Sequence, residues 1–336
     1  MTHHEPLTQT DPPVAVPPSA GTDPAAPVAP VTSVTPVAPV APVAPVAVKP
    51  RRNGFGNFVR SFVRIRSGVA GLGILVVFGL LALCAPLFIS GNDLDVIKVD
   101  GPSLHSPTDG YPLGTDQEGR SILLLVIWGA RSSLSIGLMA TVLTVVLGSA
   151  VGLVAGHYGG WIGKALMHLT DWFIALPSLP LAISLSAVIG QGTSSITIAI
   201  AVTSWSSTAR LVRAQTLAVE AKPFIERARA LGAGGPQVML RHVLPNVTPL
   251  ILVSSTLTVA SAILSEATLT FLGLGDPTGI SWGAMLNSAL SGGAVTSGAW
   301  WYLYPPGIAI LIVVLGFTLT GRAVETILNP RSVKTR

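Results

Sequence analysis

An all-α polytopic membrane protein is the fold class this sequence predicts, on three observations. Apolar runs of about 20 residues recur along the chain, the length a helix needs to cross a bilayer core. Only 10% of the 336 residues are charged and 49% are hydrophobic, against about 25% charged for an average soluble chain. The basic residues behind the formal charge of +5 flank apolar runs rather than forming one stripe, which argues against a nucleic-acid partner.

Taken in order, residues 1 to about 50 are built from Pro, Ala, Val and Thr, with PVAP-like units repeating from Ala26 to Val46. Such a run cannot bury a core; it is expected to be a disordered, Pro-rich cytoplasmic tail sampling polyproline II. It lacks the apolar core and cleavage site of a signal peptide; a ligand for a proline-recognising domain is the alternative reading. A basic block follows: Lys49, Arg51, Arg52, Arg60, Arg64 and Arg66. The rest, 51–336, reads as one transmembrane domain of about six helices. Their expected spans are Val69 to Ile89, Ser132 to Ala155, Leu169 to Ile189, Ser194 to Val212, Leu250 to Leu272, and Tyr304 to Leu328. Ser and Thr make the fourth run the least apolar.

Charge sets the expected orientation. With the N-terminus inside, the inner side collects all Lys and Arg except Lys98, Arg120 and Arg131, and the outer loops hold mostly Asp. The positive-inside rule is then met, and an even span count places both termini in the cytoplasm of a cell (plasma or inner) membrane. In the second span Gly148, Gly152 and Gly156 recur every four residues, a face on which a neighbouring backbone can lie close. That pattern signals packing.

Chemistry of its own is not expected from the chain. The single Cys84 lies in an apolar run, and the six His are scattered, so neither a disulfide nor a metal cluster is indicated. A phosphate-cradling loop requires G-x-x-x-x-G-K-[ST]. The nearest approach, Gly163-Lys164, is followed by Ala165 and has Tyr158 where the first Gly belongs. No cofactor is expected in this chain, and any ATP–Mg would be held by partner subunits.

The segment of about 213–249 is polar, basic and helix-forming between two apolar runs. Pro223 suits a first helical position. Phe224, Ile225, Ala228 and Leu231 recur on one face, while Lys222, Glu226, Arg227 and Arg229 lie largely on the other. Gly232 fits a left-handed C-terminal cap, and Gly234-Gly235-Pro236 turns the chain into a second short helix expected to end before Pro245. Physics alone leaves two readings open. The loop docks a soluble partner, or it lies on the membrane with its basic face toward anionic lipid.

The residues Phe224 to Gly232, followed by His242-Val243-Leu244-Pro245-Asn246, resemble the EAA loop of binding-protein-dependent ABC import permeases. Pro112-Leu113-Gly114-Thr115-Asp116 with Gly119-Arg120, and Phe271-Leu272-Gly273-Leu274-Gly275 with Ser281-Trp282-Gly283, are similar to the dipeptide, oligopeptide and nickel branch, in its second or "C"-type subunit. Gly159-Gly160-Trp161, Asp171 and Pro177-Ser178 also match, so the resemblance covers about Arg60 to Arg331. It implies a type I importer-like permease fold. It also implies as partners a homologous second permease subunit, two ATP-binding domains, an extracytoplasmic substrate-binding protein and membrane lipid. The coupling residues it implies are Phe224, Glu226, Arg227, Ala228, Gly232, His242, Pro245 and Asn246. Two departures stand out. Arg227 replaces a small residue, and Gly321-Arg322-Ala323-Val324-Glu325-Thr326 replaces an acidic pattern; there an Arg322–Glu325 pair would contribute about 0.2–0.5 kcal/mol.

The rival class is an ion-coupled secondary transporter, which needs ionisable groups inside the membrane. Glu266 is the deep candidate; Asp171 and Arg131 stand near span ends. All three are candidate gating or structural residues.

Overall fold

The computed structural model describes residues 54–89 and 94–328. The segment read as a Pro-rich tail, and the closing basic residues Arg331, Lys334 and Arg336, lie outside them. Helix α1 spans Gly54–Val63 and α2 Arg66–Phe88; a loop then leads to α3, Ile122–Tyr158. Next come α4 (Gly160–Ala175), α5 (Ser178–Ile189) and α6 (Thr193–Glu220). The loop between spans contains α7 (Pro223–Ala230) and α8 (Gly235–Val238), which runs through a π-helical turn, Met239–Val243, into α9 (Leu244–Phe271). Helices α10 (Trp282–Ser291) and α11 (Trp300–Leu328) complete the described chain. Among the described residues extended pairing is limited to two isolated bridges in the loop before α3.

Among the described residues four helical runs are long and apolar enough to cross a membrane: α2, α3, the continuous run Gly235–Phe271, and α11. The expected third span, Leu169 to Ile189, is not a straight helix. Helices α4 and α5 meet at 93°, and the pair is apolar enough for a fifth span only if the two are counted as one. Proline is the cause. Its ring disfavours helical torsions in the preceding residue, and Leu176 before Pro177 is extended, at φ −81° and ψ 135°. The expected fourth span is helical in α6, yet falls short of the others in apolarity. Its Thr197, Thr203, Ser206, Thr208 and Thr216 are turned inward instead. Helix α3 begins ten residues before the expected Ser132, and α6 runs on through Glu220.

The glycine stripe of α3 faces α6. A Cβ on Gly148 would lie 2.6 Å from the Trp205 carbonyl oxygen, and one on Gly152 2.5 Å from that of Ala209. Small residues here let the two backbones touch, which is how helices gain packing energy where no water drives them together. At the end of the bundle where α3 begins, α2, α3, α9, α10 and α11 close on a core that includes Trp282 and Tyr302. Trp282 is fully buried. Its indole N–H donates to the Val126 carbonyl at 2.9 Å and its backbone N–H to Ser133 Oγ at 3.2 Å, pinning α10 onto α3.

Candidate functional site

Helix α7 starts at Pro223, whose missing N–H would have no helical partner at that position. Its end is a Schellman cap. The Ala233 N–H donates to the Ala228 carbonyl at 3.0 Å and the Gly232 N–H to that of Arg229 at 2.9 Å. Gly232 sits at φ +87°, the left-handed region such a cap demands.

The packed face of α7 is narrower than its periodicity suggests. Ile225 is fully buried, with Val212 and Val219 of α6, Leu153 of α3, and Val238, Val243 and Val247 of the following helical run. Phe224 is half-buried against this cluster and Ala228 is half-buried. Leu231, expected on the same face, is instead 89% exposed, because it follows the last helical residue and leaves the helical register. Glu226, Arg227 and Gly232 are exposed.

Beyond Gly234 the chain does not break before Pro245. Proline removes a backbone donor and its ring strikes the carbonyl four residues back. The wider π turn at Met239–Val243 absorbs this, so the helix passes through Pro245 into α9. Asn246 Nδ2 donates to the His242 carbonyl at 2.7 Å, supplying a side-chain bond beside the proline. The His-Val-Leu-Pro-Asn segment is thus a device for bending a helix without ending it. His242 is half-buried, whereas Pro245 and Asn246 are exposed.

One cluster escaped the sequence reading. His157, at the end of α3, hydrogen-bonds through Nδ1 to Glu220 Oε1. The other Glu220 oxygen accepts from Arg229 of α7 at 2.6 Å. Polar links therefore join α7 to the C-terminal ends of α3 and α6. His157 and Glu220 stand 63 positions apart, so periodicity carried no sign of the contact.

The three other candidates lie on α3, α4 and α9. Asp171 of α4 pairs with Arg210 of α6 at 2.6 Å, both side chains 56% exposed. Arg131 is exposed, its guanidinium 5.7 Å from the Trp128 ring centroid. Glu266 is fully buried; its Oε1 accepts from Thr270 Oγ1 at 3.4 Å, and the Ser281 and Ser133 hydroxyls also face its carboxyl. Near the end of α11, Arg322 and Glu325 are both exposed, and no ion pair between them occurs among the described residues. Water solvates both charges there at little cost.

In the loop before α3, Asp116 is buried beneath its own turn. Its carboxylate accepts from Arg120 Nε at 2.7 Å and from the backbone N–H groups of Glu118 and Arg120 at 3.0 and 2.7 Å. Burial pushes this carboxyl up to about 6, against the pull of Arg120. The Phe-Leu-Gly-Leu-Gly segment closes α9 with a second Schellman cap, Gly273 at φ +82° and the Leu274 N–H bonded to the Leu269 carbonyl at 3.1 Å.

These features coincide with known proteins. Residues 148–334 match the family described as the binding-protein-dependent transport system inner membrane component. The dipeptide transport system permease protein DppC of Alkalihalophilus pseudofirmus is 34% identical over 85% of this chain and 91% of its own length. The oligopeptide transport system permease protein OppC of Bacillus subtilis is 35% identical, over 81% and 88%. The glutathione transport system permease protein GsiD of Pectobacterium atrosepticum is 32% identical, over 84% and 91%. With a helix–Gly–helix loop anchored between apolar spans, and similarity of this extent, the chain belongs to the family of inner-membrane components of binding-protein-dependent transport systems.

Proposed function

We propose that this chain is the C-type membrane-spanning permease subunit of an ATP-driven importer of short peptides, including di- and oligopeptides. Peptide cargo is what the names of its relatives state of those proteins, over most of both chains. A second, homologous permease subunit would complete the pathway, two ATP-binding domains would dock on the cytoplasmic loop, and an extracytoplasmic binding protein would deliver cargo. Having no G-x-x-x-x-G-K-[ST] run, the chain borrows its energy from those domains. Both termini face the cytoplasm in this reading, with six crossings: four apolar runs, the bent α4–α5 pair, and α6.

The observation that carries the coupling role is the attachment of α7. A helix lying on lipid would turn its apolar residues to the bilayer. Here Ile225 is spent on the internal cluster, while Glu226 and Arg227 point outward. A push on Phe224 to Asn246 therefore reaches α3 through His157 and α6 through Glu220, and α9 through the π turn. Glu266 is read as a structural group, because it is fully buried beside the α10 pin.

Mass spectrometry of what co-purifies with the tagged chain, gently solubilised from its native membrane, tests this reading. A second permease together with P-loop ATPases is the expected result. Recovery of the chain alone, in a detergent that preserves such complexes, would overturn it and return attention to Glu266 as an ion carrier.

A further inference from the structure

Helix α1 ends at Val63, and Ile65 is extended at φ −91° and ψ 98°, so the chain changes direction before α2. Phe62 holds α1 in place, and it is buried. Its ring lies 3.2 Å from where a Cβ on Gly68 of α2 would stand, and the Ala323 Cβ of α11 lies 2.5 Å from the same point. Three helices therefore meet at one corner, where the apolar run of α2 begins and that of α11 is ending. Such a corner lies at the boundary of the hydrocarbon. We infer that it is a docking site for an anionic phospholipid, whose phosphate is held by Arg60, Arg64, Arg66 and Arg322.

Charge is the first support. All four arginines are exposed, and among the described residues none of them is in an ion pair. Helices α1, α2 and α11 together carry a single acidic residue, Glu325. Lys49, Arg51 and Arg52 precede α1 in the sequence, and Arg322 stands in the stretch where this chain departs from the family's acidic pattern. A basic excess at the membrane boundary draws a counter-anion, and the anions concentrated at that depth are lipid phosphates. Guanidinium groups suit them, because their paired N–H donors match two phosphate oxygens at once.

The shape of α1 decides between a lipid and a free anion. Phe58 and Phe62 fall on one side of the helix with Val59 and Val63 beside them, while Arg60, Ser61 and Arg64 fall on the opposite arc. The two phenylalanine rings stack on each other with centroids 6.4 Å apart. Val59 and Val63 are left 43% and 62% exposed. A soluble anion would match the arginines and leave these valines bare. A phospholipid meets both, its phosphate on the basic arc and its acyl chain along the valines, as at other basic amphipathic helices. Bound there, it bridges α1, α2 and α11 and fixes the first span against the last.

The test uses the assembled transporter with the full-length chain carrying Val63→benzoylphenylalanine, in nanodiscs of equal phosphatidylglycerol and phosphatidylcholine with the same acyl chains. After illumination, mass spectrometry reads which lipid is attached at position 63. Phosphatidylglycerol adducts should dominate, and each of Arg60→Gln, Arg64→Gln and Arg322→Gln should lower their ratio to phosphatidylcholine adducts about fivefold. Arg227→Gln, an exposed arginine on α7, should leave the ratio unchanged. Adducts in the bulk lipid ratio, or a preference that survives the three Gln substitutions together, overturn the inference. So does capture of a protein subunit at position 63, or a preference abolished by inorganic phosphate but not by chloride at the same ionic strength.

Discussion

Gly232 is the residue on which the loop between α6 and α9 turns, and its demand is torsional. No atom lies within 4 Å of where its Cβ would be, so a side chain meets no clash. At φ +87° a β-branched residue nevertheless strains the backbone, by about 1–2 kcal/mol. Gly232→Val should therefore leave membrane insertion and complex assembly intact while cutting uptake, because α7 no longer ends where its partner expects it. Gly232→Asn, which tolerates the left-handed region, should retain most activity. Uptake per assembled complex measures both, and normal transport by the valine variant would count against coupling through this turn. Gly232 was legible in the sequence because a helix stop is a local signal. Ile225 was legible only as one of four apolar positions, since register alone cannot say that Leu231 falls past the cap.

Among the elements, α7 gains its meaning from what holds it. Glu220 ends α6 and is shared by His157 of α3 and Arg229 of α7. Glu220→Gln keeps the shape and removes the charge. Each lost charge-assisted bond costs about 1.5–3 kcal/mol when shielded from water. The Arg229 bond contributes less, with that side chain 48% exposed. The expected outcome is ATP hydrolysis that still responds to the binding protein but drives several-fold less uptake per ATP. Measuring both rates in one preparation checks it, and an unchanged ratio would deny the triad a transmitting role. Two other elements show where helical periodicity misleads. Pro177 bends an apolar stretch by 93° that reads as one span, whereas Pro245, beside a π turn, does not stop a helix at all. A proline's effect depends on whether the neighbouring turn can widen, and the residue itself does not report that.

For the whole molecule the controlling fact is the sidedness of charge. Every Lys and Arg except Lys98, Arg120 and Arg131 falls on one side of the proposed six crossings, and moving such loops across a membrane is disfavoured. A protease-sensitive tag at either terminus should be cleaved in inside-out vesicles and protected in right-side-out ones. Opposite accessibility of the two tags would remove the even span count, and with it α6 as a crossing. The sequence by itself determined the all-α membrane class, the place of the loop and the glycine face of α3, because length, period and turn chemistry are local properties. Only the tertiary structure decided that Ile225 anchors α7, that Glu220 joins three helices, and that Phe62 sets α1 against the start of α2 and the end of α11. Those contacts link residues far apart in the chain, and no local pattern records which distant helix a side chain will meet.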